Sequence, residues 1–92
     1  MIKTIEIICK PCRKCELLKE RIHTIIECIE LKNRIKIKYV FKHNTNMLDA
    51  AKYGYSINHL PITLINGNIE FVGFVKEEFL LRIKLEAINK EY

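Results

Sequence analysis

The amino-acid sequence predicts an α/β domain in which a four-stranded mixed sheet packs with three helices, in the order β-α-β-α-β-β-α. Short runs rich in β-branched residues alternate with longer segments whose apolar residues recur every three or four positions. An Asn66-Gly67 pair lies between two apolar runs, and this pair is the strongest short-range indication of a β-hairpin. With 92 residues, the chain is expected to form one small domain over residues 1–92.

The first half of the chain predicts a strand, a long helix and a second strand. Residues 2–8 are rich in Ile, as expected of a short buried strand. Residues 13–31 carry an apolar stripe on one helical face. The stripe consists of Leu18, Ile22, Ile25, Ile26 and Ile29, widened by Leu17, Cys28 and Leu31. Residues 34–41 alternate apolar and basic side chains, which predicts a half-exposed strand near a sheet edge. Because a helix joins the two strands, we expect them to be parallel.

A short helix is predicted over residues 45–53. Asn44 or Thr45 can cap its start, and Gly54 can end it. Its expected buried residues are Met47, Leu48 and Ala51.

The remaining segments predict a hairpin and a last helix. Pro61 opens a strand over residues 62–65, and the return strand after the Asn66-Gly67 turn ends at Gly73. An amphipathic helix follows over residues 76–89. Its expected inward residues are Phe79, Leu80, Ile83, Ala87 and Ile88.

The composition favours a soluble, intracellular protein, which we expect to be cytoplasmic and monomeric. The longest apolar run is far shorter than the roughly 20 residues of a membrane span, and Lys3 and Glu6 interrupt the N-terminus where a secretory signal would be apolar. The net charge is +5, but the basic residues form no single block. We therefore expect neither nucleic acid nor a membrane as a partner.

Four cysteines stand at positions 9, 12, 15 and 28, and three of them lie within seven residues. A secreted disulfide scaffold spreads its cysteines to connect distant loops, whereas residues 29–92 contain none. The cluster is therefore expected to be reactive or metal-binding.

The chemistry is predicted where the first strand meets the first helix. Cys12 and Cys15 form a C-x-x-C at the expected helix N-terminus, where unpaired backbone amides favour a thiolate. A two-residue spacing lets both sulfurs meet across one helical turn. We expect Cys12 to attack a disulfide and Cys15 to resolve the mixed disulfide.

Two alternatives involve Cys9. The segment Cys9-Lys10-Pro11-Cys12 is a second C-x-x-C, but it leaves no residues for a turn after the first strand. We therefore favour Cys12 and Cys15, with Cys9 as a bystander or an auxiliary thiol. The other alternative is a zinc- or copper-binding or metallochaperone module that uses Cys9, Cys12 and Cys15, although the second ligand pair of a structural zinc site is missing.

The segment from Tyr53-Gly54 through Pro61 to Ile65-Asn66-Gly67, together with the C-x-x-C, resembles the thioredoxin/glutaredoxin superfamily. The resemblance is closest to the small archaeal and bacterial thioredoxin-like redox proteins, and it covers nearly the whole chain. It implies a thioredoxin-like fold, with a cis bond before Pro61 beside the dithiol. It also implies that Leu60 offers its backbone to the substrate, so that Leu60 and Pro61 form the substrate-binding site.

The resemblance implies a dithiol–disulfide oxidoreductase that needs no cofactor and has protein disulfides and a disulfide reductase as partners. The chain has no Trp, and His59-Leu60-Pro61 stands where glutaredoxins carry Thr-Val-Pro, so we favour a protein disulfide over glutathione. His59 is expected to be a solvated loop residue near the site, and His23 and His43 are expected on the surface.

Overall fold

The computed structural model describes residues 2–10, 13–74 and 77–91. The predicted order of elements and the mixed four-stranded sheet are confirmed. The elements are β1 (Thr4–Ile8), α1 (Arg13–Asn33), β2 (Val40–Asn44), a 3₁₀ helix (Met47–Tyr53), a 3₁₀ turn (Ile57–His59), β3 (Ile62–Ile65), β4 (Asn68–Val72) and α2 (Glu78–Glu91).

The sheet has the strand order β2-β1-β3-β4. β1 pairs with β2 in parallel, starting with Thr4 beside Val40, and both β1–β3 and β3–β4 are antiparallel. The Asn66-Gly67 turn joins β3 to β4 with both residues at positive φ, as its sequence predicts. The Asn66 side-chain oxygen also accepts hydrogen bonds from the backbone N–H groups of Lys3 and Thr4, at 3.2 and 3.0 Å. The hairpin is thereby fixed to the start of β1.

Alternation along β1 divides the core into two layers. Ile5, Ile7 and Cys9 belong to the layer that contains α1 and α2, whereas Ile8 packs with Ala50 on the opposite side of the sheet. The five residues at the centre of the predicted α1 stripe are all buried in the first layer. The helix therefore lies across the sheet on the side to which Cys9 points.

The second strand begins later than predicted. Residues 34–39 are outside regular strand, and β2 starts at Val40. The backbone N–H groups of Ile35 and Ile37 donate instead to Glu30 of α1, one to its carbonyl at 3.1 Å and one to its carboxylate at 2.7 Å. The alternating pattern still sets the direction of the side chains, because Ile37 is buried and its apolar neighbours pack against the same layer.

The short helix is a 3₁₀ helix with a different buried face from the one predicted. Asn46 caps it, rather than Asn44 or Thr45, and accepts a hydrogen bond from the N–H of Leu48. A 3₁₀ helix repeats every three residues, so Met47 and Ala50 share a face. Ala50 is buried and Leu48 is exposed. Gly54 ends the helix in the left-handed conformation, as predicted.

The predicted inward face of the last helix is wrong except at Ile88. The buried residues are Leu81, Leu85 and Ile88, while the side chains of Phe79 and Ile83 are each 62% exposed. The helix has two apolar stripes, and periodicity alone does not select between them. Leu31, which was expected to widen the α1 stripe, is also exposed.

No helix among the described residues is long and apolar enough to cross a membrane.

Candidate functional site

The first turn of α1 places Cys15 in the core. Arg13 is the first helical residue, so Cys15 is the third, and its side chain is only 2% exposed. It belongs to the same buried layer as Cys9. Cys12, the predicted nucleophile, precedes α1 in the sequence and lies outside the described residues. The Cys12–Cys15 dithiol therefore stays a prediction.

A groove of about 240 Å³ opens beside Cys15. Its lining combines the start of α1 with the segment that leads into β3. The lining residues are Lys10, Lys14, Cys15, Ile57, Asn58, Leu60 and Pro61. The peptide bond between Leu60 and Pro61 is cis. The fold thus brings the second cysteine of the predicted motif to Leu60 and Pro61, the two residues for which the family resemblance implies substrate binding.

The wall of this groove is held by a compact turn. The Ser56 hydroxyl accepts a hydrogen bond from the N–H of Asn58 at 3.3 Å, and the Ser56 N–H donates to Nδ1 of His59 at 3.1 Å. The ring of His59 also meets the edge of the Tyr55 ring, with 5.3 Å between centroids. His59 is exposed, as expected, but its ring closes the turn that positions Leu60.

A second thiol lies at the end of β1. Cys9 has no exposed surface, and its N–H donates to the carbonyl of Asn44 at 2.9 Å. Its Sγ is 2.9 Å from Nε2 of His43, a residue of the neighbouring edge strand β2. This pair was not predicted from the sequence, because the predicted strand ends at residue 41. Had the alternation been continued, His43 would have fallen on the same face as Phe41.

Polar groups fix the end of β2 beneath this pair. The amide nitrogen of Asn44 donates to a carboxylate oxygen of Glu6 at 2.9 Å and to one of Asp49 at 2.8 Å. The hydrogen bond from Asn44, followed by that from Lys52, holds the pKa of Asp49 below its ordinary value. The network connects β1, β2 and the 3₁₀ helix near the end of β1, where Cys9 lies.

His23 is half-buried, so its expected surface position is wrong. Its ring packs on Phe41 and hydrogen-bonds to the hydroxyl of Tyr39. Burial, with smaller contributions from Glu30 and Glu27, raises the pKa of Tyr39. These contacts give His23 a packing role in the α1 layer. Cys28 is also half-buried, on the same helix.

Within residues 2–10, 13–74 and 77–91, the structure places no three His, Cys, Asp or Glu side chains together as a metal site. The metal-binding alternative uses Cys12, which is outside those ranges, and it also stays a prediction.

The sheet order, the long α1 after β1 and the cis proline before β3 define a thioredoxin-like α/β domain. The family model of the thioredoxin domain matches residues 3–84, which is most of the chain. The chain therefore belongs to the thioredoxin-domain family, as the sequence resemblance indicated. Neither the curated proteins nor the solved structures gave a match.

Proposed function

We propose that this protein is a thiol–disulfide oxidoreductase that acts on protein disulfides through Cys12 and Cys15. The observation that carries the proposal is the groove in which the Cys15 side chain and the cis Leu60–Pro61 segment lie together at the start of α1. Membership of the thioredoxin-domain family is consistent with redox chemistry at this position.

The burial of the described cysteines supports this division of roles. Cys15 is 2% exposed and Cys9 is fully buried, so a sulfur atom of a protein substrate has little access to either. We therefore assign the first attack to Cys12. Its thiolate attacks one sulfur of the substrate disulfide and releases the other as a thiolate. Cys15 then attacks Sγ of Cys12, forming the Cys12–Cys15 disulfide and releasing the second substrate sulfur.

Positive charge near the start of α1 favours this chemistry. Lys10, Arg13 and Lys14 are exposed, and Lys10 and Lys14 line the groove. The N-terminal amides of α1 add the partial positive charge of a helix end. Both effects stabilise a thiolate relative to a thiol, whether it is the attacking or the departing sulfur.

The size of the groove favours a peptide substrate. At about 240 Å³ it is smaller than the roughly 300–1,000 Å³ of pockets that enclose a small ligand. We propose that an extended segment of the substrate lies along the Leu60 backbone and contacts the exposed side chain of Ile57. The disulfide of the substrate then lies beside Cys15. A cytoplasmic disulfide reductase would return the protein to the dithiol form.

The test is reduction of insulin by a dithiol reductant in the presence of the protein. Cys12→Ser is expected to lower the catalysed rate by at least ~100-fold, because the attacking sulfur is removed. Cys28→Ser is the matched control and is expected to keep the full rate. Full turnover by Cys12→Ser would rule out the proposed mechanism.

A further inference from the structure

We infer that Cys9, paired with His43, is a second resolving thiol, so that this centre exchanges disulfides through three cysteines. The inference rests on the proposed function, because it needs a disulfide or mixed disulfide on Cys12. It assigns a role to Cys9 and His43, which the Cys12–Cys15 mechanism does not require.

The placement of Cys9 is the first support. Cys9 and Cys15 stand three residues before and three residues after Cys12 in the sequence, and both are buried in the layer between the sheet and α1. Cys9 is anchored there by its backbone bond to Asn44 and by the pairing of β1 with β2. In the sequence, Cys12 therefore stands between two cysteines that are buried in the structure, each at the spacing of a C-x-x-C.

His43 is the second support. Its Nε2 lies 2.9 Å from Sγ of Cys9, within the distance at which an imidazole exchanges a proton with a thiol. The His43 residue as a whole is exposed, so a proton taken from the buried sulfur has a route to water. A base beside a nucleophile is the arrangement that activates cysteine for attack.

The proposed step balances without an added oxidant or reductant. The Cys9 thiol gives its proton to Nε2 of His43, and the Cys9 sulfur attacks Sγ of Cys12. A Cys9–Cys12 bond forms while the bond from Cys12 to Cys15, or to a substrate sulfur, breaks. The departing sulfur leaves as a thiolate and is protonated from water. Because Cys9 has no exposed surface, this attack on a neighbour in the chain is the reaction open to it.

The experiment uses dipyridyl disulfide as the substrate and a Cys15→Ser/Cys28→Ser double variant of the full chain. Cys12 attacks the reagent first and releases one equivalent of pyridinethione. If Cys9 resolves the adduct, a second equivalent follows at a rate independent of reagent concentration, and the protein carries no pyridyl group by mass. Adding Cys9→Ser is expected to stop the reaction after one equivalent, with the pyridyl group still attached.

His43→Gln in the same double variant tests the imidazole. We expect the second phase to slow by at least ~10-fold, since a positioned base is lost, while the first phase keeps its rate. His23→Gln is the matched control, because it removes another imidazole on the same side of the sheet, and it is expected to leave the second phase unchanged.

The outcomes separate this inference from the proposed function. A stable singly labelled adduct in the double variant, or two pyridyl groups on one chain, would overturn the role of Cys9 and leave the Cys12–Cys15 mechanism intact. Failure of Cys12 to react in every variant would overturn both.

Discussion

At the scale of single residues, the three described cysteines differ in their access to solvent. Cys9 and Cys15 are buried in one layer, and Cys28 is half-buried on α1. A thiol inside a packed layer reacts with partners that the fold brings to it, whereas an incoming protein needs an accessible sulfur. The proposed mechanism therefore requires that Cys12 is the cysteine that reacts first with the substrate.

Alkylation of the reduced native protein tests this order. We expect iodoacetamide to modify Cys12 first, because it is the cysteine assigned to meet the substrate. Cys9 and Cys15 are expected to react at the same rate as the other thiols only after unfolding in guanidinium chloride. Peptide mass spectrometry after timed quenching gives the order, and early labelling of Cys15 would contradict the assignment.

Ser56 has a different task, which is to hold the wall of the groove. Ser56→Ala removes the acceptor for the Asn58 N–H and is expected to destabilise the protein by about 1 kcal/mol, as the loss of a helix cap does. We also expect KM for a disulfide peptide to rise more than kcat falls, since Leu60 is less well positioned. Ser56→Thr keeps the hydroxyl and is the control; a larger effect on kcat than on KM would contradict this role.

At the scale of elements, α2 shows which properties of a helix the sequence pattern predicts and which it does not. Its length and amphipathic character were predicted correctly, but its predicted inward face was wrong, because apolar residues occupy two sides of the helix. Two ion pairs join α2 to other elements: Glu86 lies 3.6 Å from Lys32 of α1, and Lys84 lies 3.3 Å from Glu70 of β4. Ion pairs in which one partner is exposed to solvent add little free energy, so we attribute the orientation to the packing of Leu81 and Leu85.

Two neighbouring leucines in α2 provide a matched test of that orientation. Leu81→Ala removes a fully buried side chain and is expected to lower the free energy of unfolding by about 2–5 kcal/mol. Leu80→Ala removes a side chain that is 50% exposed and is expected to cost less than about 1 kcal/mol. Urea denaturation measures both, and equal losses would show that the helix is turned differently.

The hydrogen bond from Asn44 to Asp49 at the end of β2 is expected to affect stability in acid. Asn44→Ala removes the main cause of the lowered pKa of Asp49, so that pKa is expected to rise towards the ordinary value of 3.8. A lowered folded-state pKa contributes stability above the unfolded-state pKa and loses it as the pH falls through the folded-state value. The difference in the free energy of unfolding between the wild type and Asn44→Ala should therefore become smaller in strong acid.

Carboxyl NMR titration of Asp49 checks the direction of this pKa change. Asn68→Ala, which changes an exposed asparagine on the other edge strand, is the control and is expected to leave the titration unchanged. A pKa of Asp49 that is the same in Asn44→Ala and wild type would contradict the assigned cause.

At the scale of the whole molecule, topology assembles the candidate site from two distant segments. Cys15 and the Leu60–Pro61 segment are far apart in the sequence, and the β1–β3 pairing brings them to one end of the sheet. The sequence predicted this meeting through family resemblance, because periodicity says which face a residue occupies but not which loops meet. The Cys9–His43 contact depends on the β1–β2 register, for which the sequence offered no local rule.

The most direct test of the central claim is disulfide mapping of the native protein after equilibration in an oxidising thiol buffer and acid quenching. Trypsin cuts after Arg13 and Lys14, so Cys15 falls on a different peptide from Cys9 and Cys12. Alkylation of the remaining free thiols before digestion marks whichever of Cys9 and Cys12 is not joined to Cys15. Because the Lys10–Pro11 bond resists trypsin, a Cys9–Cys12 disulfide appears instead within one peptide. We expect joined Cys12 and Cys15 peptides that separate on reduction and form again on reoxidation. Recovery of Cys12 outside any disulfide under conditions that oxidise the buffer thiols would contradict the account.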